Sequence, residues 1–223
     1  SGGGMMHLLD AVGRSTLSTI PMHHEQGAAI AAYAYGRTIN STGVCFATSG
    51  PGATNTVTAV AAAFTDSVPM LFISGQVSTL FSQRAHGLRQ RGFQEFNITD
   101  MVRSSTKYTV YVDKAADIRY ELEKACYLAR AGRPGPVWLD IPLDVQAASI
   151  ELESLRGFDP VAEGLADLNP APSPELVASI LEKLRTAKRP LLVLGHGVWL
   201  AGARDKVAKL LDVLQVPVQT TWN

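Results

Sequence analysis

The chain has 223 residues, 46% of them hydrophobic, and its 20 basic residues are balanced by 20 acidic ones. This composition is typical of a globular protein with a substantial core, and it favours neither nucleic acid nor an anionic membrane as a partner. No apolar run approaches the roughly 18 residues of a membrane span. The cysteines are Cys45 and Cys126, which predicts a reduced, cytoplasmic protein without a disulfide framework.

Apolar periodicity predicts alternating helices and strands over the first 148 residues. Helices are expected at 5–13, 24–37, 53–64 and 115–131, and buried strands at 42–48, 69–74 and 135–142. A long polar connection at 76–92 is of the kind that is usually functional or mobile. Because buried strands alternate with helices, we expect an α/β fold with a mostly parallel sheet flanked by helices on both faces.

The composition changes near Gln146, and residues 149–173 are rich in proline and glycine, which predicts a linker. Beyond it, a helix, a strand, a helix and a strand are expected at 174–186, 190–194, 203–214 and 216–221. Two strands and two helices cannot cover both faces of a sheet. We therefore expect residues 174–223 to be a second, Rossmann-like α/β domain that is truncated.

Glu25 stands at the head of a predicted helix that is rich in alanine and glycine and has few other ionisable groups. A carboxylate in this position suits a group that holds one end of a ligand while partly desolvated. Taken alone, the position favours a structural role, because acidic residues interact favourably with the dipole at a helix N-terminus.

The stretch Thr48-Ser49-Gly50-Pro51-Gly52-Ala53-Thr54-Asn55 joins a predicted strand to a predicted helix, where open α/β sheets bind ligands. Its two glycines allow the close approach of a flat ligand, Pro51 stiffens the turn, and Asn55 offers an amide. The stretch is neither a P-loop nor a nucleophile elbow, because it lacks their lysine and glycine positions. A tight turn without a ligand is the alternative interpretation.

Two further motifs are incomplete. His23-His24-Glu25 lacks the second histidine of a zinc-protease motif, because position 28 is Ala28, so we expect no metal site there. Gly195-His196-Gly197 resembles the start of a dinucleotide-binding fingerprint, but Leu200 stands where its third glycine should be. A nicotinamide oxidoreductase is therefore the less favoured hypothesis.

Three tracts have the order and spacing found in thiamine diphosphate-dependent enzymes of the acetolactate synthase type. They are His24-Glu25-Gln26, residues 48–55, and residues 74–77 leading to Gly92-Phe93-Gln94-Glu95. The chain resembles this family over nearly all of 1–148, and 174–223 resembles the start of the family's central domain. The resemblance implies that 1–148 is the pyrimidine-binding domain without its first helix and strand.

The resemblance also implies roles for individual residues. The cofactor-binding residues would be Glu25, Gly50, Pro51, Gly52 and Asn55, the substrate-binding residues Gly2, Gly3, Phe93 and Gln94, and the catalytic residues Glu25 and Gln94. Glu25 would hydrogen-bond the pyrimidine nitrogen N1′, and its apolar neighbours should raise its pKa. The implied reaction decarboxylates a 2-oxo acid such as pyruvate and transfers the two-carbon unit to a second carbonyl.

Other parts of the family's site are not found in this sequence. Such enzymes bind the diphosphate and Mg²⁺ through a Gly-Asp-Gly motif in a third domain, and this sequence contains no Gly-Asp pair. The resemblance implies a homodimer or homotetramer with the site between subunits, and an inactive isolated chain. Whether FAD is bound, and which acceptor is used, stays open. A non-catalytic assembly or regulatory module with a vestigial pocket is the alternative hypothesis.

Overall fold

The computed structural model describes residues 1–166, 168 and 170–222, apart from the side chain of Ala85. The predicted linker at 149–173 includes Asp167 and Asn169, and the predicted second domain includes Asn223; these three residues lie outside the described part. The chain divides into two compact units, Ser1–Leu168 and Asn169–Asn223. The domain boundaries inferred from the sequence stay a prediction.

The first unit is built on a parallel sheet with the strand order β1-β2-β4-β3 among the described residues. Its strands are β1 (Gly43–Ala47), β2 (Met70–Gln76), β3 (Tyr108–Tyr111) and β4 (Pro136–Pro142). Its helices are α1 (Met6–Arg14), α2 (Glu25–Ile39), α3 (Pro51–Thr54), α4 (Val57–Thr65), α5 (Ile98–Val102), α6 (Ile118–Arg130) and α7 (Leu143–Ala147). The α/β fold class with a parallel sheet is confirmed.

Strand β2 shows how the sheet separates two apolar layers. Successive side chains of a strand point to opposite faces, so Met70 and Phe72 pack with residues of α2, α4 and α5, whereas Leu71 and Ile73 pack with residues of α6. On the first face Phe72 stacks on Trp138 of β4, with ring centroids 5.1 Å apart. Helices therefore cover both faces of the sheet.

Several short elements differ from the sequence prediction. The helix expected at 53–64 is two helices, because α3 ends at Thr54 and α4 starts at Val57. Strand β3 was not predicted; it has four residues, all of them half-buried at the sheet edge, so no buried apolar run marks it. Helices α5 and α7 have five residues each, too few to show a helical period.

Residues 155–165, which fall within the predicted linker, contact helix α6. The Tyr127 hydroxyl donates to the Leu165 carbonyl at 2.6 Å, and the Phe158 backbone N–H donates to the Glu123 carboxylate at 2.7 Å. Lys124 pairs with Glu163 at 3.4 Å. This segment is therefore a packed part of the first unit.

The second unit contains α8 (Pro174–Thr186), β5 (Leu192–Leu194), α9 (Gly197–Leu200), α10 (Arg204–Leu214) and β6 (Val218–Thr220). Ser173 caps α8 by accepting a hydrogen bond from the Leu176 backbone N–H, and Pro174 occupies the first turn, where its missing N–H is tolerated. Strands β5 and β6 pair in parallel. Across both units, none of the helices described here is long and apolar enough to cross a membrane.

Candidate functional site

The glycines at the start of the chain lie at the carboxyl ends of strands β1 and β2. A Cβ on Gly2 would lie 2.5 Å from the Thr48 hydroxyl, and a Cβ on Gly75 would lie 1.9 Å from the Gly4 carbonyl oxygen. Only residues without side chains allow this approach. Gly3 has open space where a Cβ would stand. Gly2 is thus in contact with the end of β1, while Gly3 is exposed.

Glu25 begins helix α2 and faces the turn that follows β1. His24 caps the helix through Nδ1, which accepts from the Gln26 backbone N–H at 3.1 Å. The Asn55 side-chain amide donates to Glu25 Oε2 at 3.1 Å. The structure therefore joins the acid and the amide that the sequence analysis singled out, although 30 positions separate them in the chain.

The turn at Gly50–Asn55 depends on glycine at two positions. Gly50 has φ 57° and ψ −119°, and a Cβ there would lie 2.1 Å from the Gln94 carbonyl oxygen. A Cβ on Gly52 would lie 2.5 Å from Thr48 Cγ2 and 3.4 Å from Glu25 Oε1. Pro51 follows Gly50 at the first position of α3, where a proline is favourable. Small residues thus let the Glu25 carboxylate and the 92–95 turn approach this backbone.

The expectation that apolar neighbours raise the pKa of Glu25 is wrong. Burial alone would raise it, but the hydrogen bond from Asn55 and a backbone hydrogen bond outweigh burial and hold the pKa of Glu25 below its ordinary value. The physical reason is that the carboxylate is only partly buried and already accepts hydrogen bonds. Glu25 is therefore ionised at neutral pH.

Phe93 and Gln94 form the exposed corner of a tight turn. The Glu95 backbone N–H donates to the Gly92 carbonyl at 3.2 Å, and Gln94 has a φ of 55°, as expected for the third residue of a type II turn. The Gln94 backbone touches Gly50, whereas the Phe93 side chain is 84% exposed. Of the predicted substrate residues, Gln94 thus lies against the Gly50–Asn55 turn, while Phe93 extends away from the packed protein.

Two acidic residues near this edge were given no role in the sequence analysis. Asp140 is 0% exposed in β4, where it accepts hydrogen bonds from Ser74 Oγ at 2.6 Å and from Gln76 Nε2 at 2.9 Å. Burial raises the pKa of Asp140 to about 7 in spite of these bonds. The available signal was a carboxylate within an apolar strand, which must find partners when buried. Glu95, the other missed acid, is 8% exposed.

The described residues contain no group of three or more histidine, cysteine, aspartate or glutamate side chains that could hold a metal ion. His24, the neighbour of Glu25, is used as a helix cap. The carboxylate, amide and glycine surface of the turn are instead suited to an uncharged heteroaromatic ring, which needs hydrogen-bonding groups at its edge and close backbone contact at its face.

Comparisons with known proteins identify similar sequences for both parts of the chain. A family model described as the thiamine pyrophosphate enzyme, N-terminal TPP binding domain, matches residues 1–101, and one described as the thiamine pyrophosphate enzyme, central domain, matches residues 177–223. Thiamine pyrophosphate is another name for thiamine diphosphate.

Curated relatives match along the whole chain. It is 35% identical to a probable acetolactate synthase large subunit of Methanococcus aeolicus, 37% to an acetolactate synthase of Arthrospira platensis, and 39% to the acetolactate synthase isozyme 1 large subunit of Escherichia coli (strain K12). Each alignment covers 99% of this chain but only 36%, 38% and 37% of the respective relative. The chain thus spans little more than a third of the length of these relatives.

Proposed function

Because the chain belongs to the thiamine pyrophosphate enzyme family, we propose that it is part of an acetolactate synthase-like enzyme, both transferase and lyase. This enzyme decarboxylates a 2-oxo acid such as pyruvate and transfers the two-carbon unit to a second carbonyl. The names of the similar proteins support this reaction class.

The observation that carries the proposal is the pairing of Glu25 with Asn55 beside a glycine-rich turn. The Glu25 carboxylate lies 3.1 Å from the Asn55 amide. Gly50 and Gly52 lack the Cβ that would clash with the Gln94 carbonyl and with Thr48, so the backbone of this turn packs closely against both. These residues fit the aminopyrimidine end of thiamine diphosphate, which offers ring nitrogens at its edge and a flat face. We assign Glu25, Gly50, Pro51, Gly52 and Asn55 to cofactor binding.

When bound, thiamine diphosphate supplies a carbon nucleophile for the ketone of a 2-oxo acid and an electron sink for the loss of CO₂. Glu25 contributes by holding a proton at the pyrimidine nitrogen N1′. Since its pKa lies below the ordinary value, the carboxylate is an anionic acceptor that stabilises a protonated ring nitrogen.

The remaining assignments concern the substrate side. Gln94 donates a hydrogen bond to a substrate oxygen, which stabilises negative charge as it develops there. Phe93, Gly2 and Gly3 border the substrate; the contact of Gly2 with Thr48 supports a position at the carboxyl edge of the sheet. Ligands bind at this edge in open α/β sheets.

Further components are proposed from the length of the relatives. We expect the diphosphate and Mg²⁺ to be held by a domain outside these 223 residues, in a homodimer or homotetramer with the site between subunits. FAD binding stays open. The free thiols of Cys45 and Cys126 are consistent with a cytoplasmic location.

The proposal is tested with the longest natural protein that contains this chain, purified and supplied with thiamine diphosphate and Mg²⁺. Consumption of pyruvate with formation of CO₂ and acetolactate is expected. The isolated 223-residue chain, assayed identically as a matched control, should show no turnover. Absence of decarboxylation of any simple 2-oxo acid by the long protein would refute the proposed reaction, and turnover by the isolated chain would refute its dependence on a further domain.

A further inference from the structure

The carboxylate of Glu95 is saturated with donors from a single loop. Its Oε1 accepts from the Ser82 hydroxyl at 3.1 Å and from the Gln83 backbone N–H at 2.6 Å. Its Oε2 accepts from the Arg91 and Gly92 backbone N–H groups, both at 3.0 Å. Glu95 is the only acidic residue between Gln76 and Asn97, so one side chain ties the two ends of the 82–92 segment together.

Burial alone would raise the pKa of Glu95, but these four hydrogen bonds outweigh burial and hold it below the ordinary value. The group is thus an ionised acceptor in a largely buried position. Hydrogen bonds to a charged acceptor are roughly twice as strong as neutral ones. The loop therefore depends on the negative charge of Glu95 as well as on its shape.

The bonds of Glu95 fix the turn that carries Phe93 and Gln94. The Gly92 N–H is held by the Glu95 carboxylate, and the Glu95 N–H closes the turn on the Gly92 carbonyl. Between these two buried residues, the exposed Gln94 adopts a left-handed conformation that costs energy for any residue but glycine. This conformation persists because both ends of the turn are held.

A second attachment joins the same turn to the sheet. The Gln76 side-chain amide donates to the Phe96 carbonyl and to the buried Asp140, both at 2.9 Å. At the opposite side, the Gln94 carbonyl rests against Gly50 of the proposed cofactor turn. A change in the bonds of Glu95 would thus be transmitted directly to the contact between Gln94 and Gly50.

We propose that Glu95 is a positioning residue, which holds the 92–95 turn so that the Gln94 side chain stands at a fixed distance from the Gly50–Asn55 turn. This inference rests on the proposed function for the role of Gln94, and it adds an ionised, loop-closing acid that the reaction depends on without contact to substrate or cofactor.

The test compares Glu95→Gln with Asp144→Asn in the longest natural protein that contains the chain. Asp144 is the matched control, because its carboxylate accepts from the Thr79 backbone N–H at 2.9 Å and so ties down the start of the same loop. Glu95→Gln keeps the shape, but in either orientation of the amide its NH2 group faces at least one backbone N–H that has lost its acceptor. We expect kcat to fall by about 100-fold, as for a displaced catalytic group.

The concentration of thiamine diphosphate that gives half-maximal activity should stay within about threefold of wild type in Glu95→Gln, since Glu25 and Asn55 are untouched. Asp144→Asn should leave kcat within about threefold. A purely structural role predicts a different pattern: thermal stability and cofactor affinity fall together, and kcat at saturating thiamine diphosphate returns to the wild-type value. That pattern, or an unchanged kcat in Glu95→Gln, would overturn the proposal.

A measurement without substrate separates this inference from the proposed function. Trypsin cleaves after Arg91, the bond next to the Gly92 N–H that Glu95 holds. Cleavage there should be about tenfold faster in Glu95→Gln and unchanged in Asp144→Asn, because local opening controls access of the protease. If the wild-type protein lacks turnover, the proposed function fails; if cleavage is equally slow in both variants, the positioning role fails.

Discussion

Two carboxylates near the carboxyl edge of the sheet have opposite environments. Glu25 is partly exposed, has Asn55 as its side-chain donor, and is bordered by glycines. Asp140 is fully buried, and each of its oxygens accepts a hydrogen bond. Glu25 therefore remains accessible to a ligand, whereas both oxygens of Asp140 are used in hydrogen bonds inside the fold. Predictions that separate the two therefore test whether the site is identified correctly.

The largest effect is expected for Asp140 and concerns the pH dependence of stability. Because the pKa of Asp140 is raised from 3.8 to about 7, the fold favours its neutral form. This contribution to stability is present in full below about pH 4 and is lost as the pH rises to about 7, a loss of about 4 kcal/mol. Hydrogen exchange of the β2 and β4 amides measures the opening free energy at each pH.

Asp140→Asn is the control for this pH dependence. The amide keeps a carbonyl acceptor for Ser74 but cannot ionise, so the decline between pH 5 and 7 should disappear. A decline of equal size in this variant would show that another group titrates, and the raised pKa of Asp140 would not explain the pH dependence of stability.

The next largest effect is expected for Gly50→Ala in the turn next to Glu25, where the free energy of unfolding should fall by about 3 kcal/mol. The new Cβ would meet the Gln94 carbonyl at 2.1 Å in a backbone conformation with φ 57° and ψ −119°, and both strain and clash destabilise the protein. Gly87→Ala separates the two causes, because Gly87 has φ 62° but open space around its Cα. Chemical denaturation should give only about 1 kcal/mol for that control.

If Gly50→Ala costs no more than Gly87→Ala, the 92–95 turn does not press on the Gly50 turn. The contact between Gln94 and Gly50 would then be too loose to connect the proposed substrate side with the proposed cofactor side.

Much of the architecture could be predicted from the sequence because the signals were local. Every residue of β2 and β4 is buried, β1 is an apolar run in which only Val44 is exposed, and the alanine-rich α2 begins within one residue of its predicted start. The strand β3 was missed because an edge strand of four half-buried residues has no apolar run. Its place in the sheet comes from pairing with β4, which is a long-range property.

The site shows the same limit. Glu25 and the 50–55 turn could be singled out from the sequence because each has a local pattern, whereas their role in cofactor binding stays a prediction. The lowered pKa of Glu25 could not be predicted, because it depends on a partner 30 residues away. Glu95 and Asp140 were missed for a related reason. Their importance comes from hydrogen bonds that only the folded chain brings together.

The smallest effect on stability is expected for Glu25→Gln. The amide keeps an oxygen that can accept from Asn55, and only the favourable charge at the start of α2 is lost, a loss of about 0.5 kcal/mol. Chemical denaturation should detect this difference. A loss as large as that of Gly50→Ala would mean that Glu25 serves the fold, and the contrast with Asp140 would disappear.

The same variant gives the most direct test of the central claim, which is that Glu25 holds a proton at the cofactor ring. In the longest natural protein that contains this chain, with thiamine diphosphate and Mg²⁺ at saturation, kcat for 2-oxo acid decarboxylation should fall by about 100-fold or more in Glu25→Gln. Glu123→Gln, which alters an acid on α6, serves as the control and should retain full activity. A Glu25→Gln enzyme with a kcat within about threefold of wild type would contradict the account.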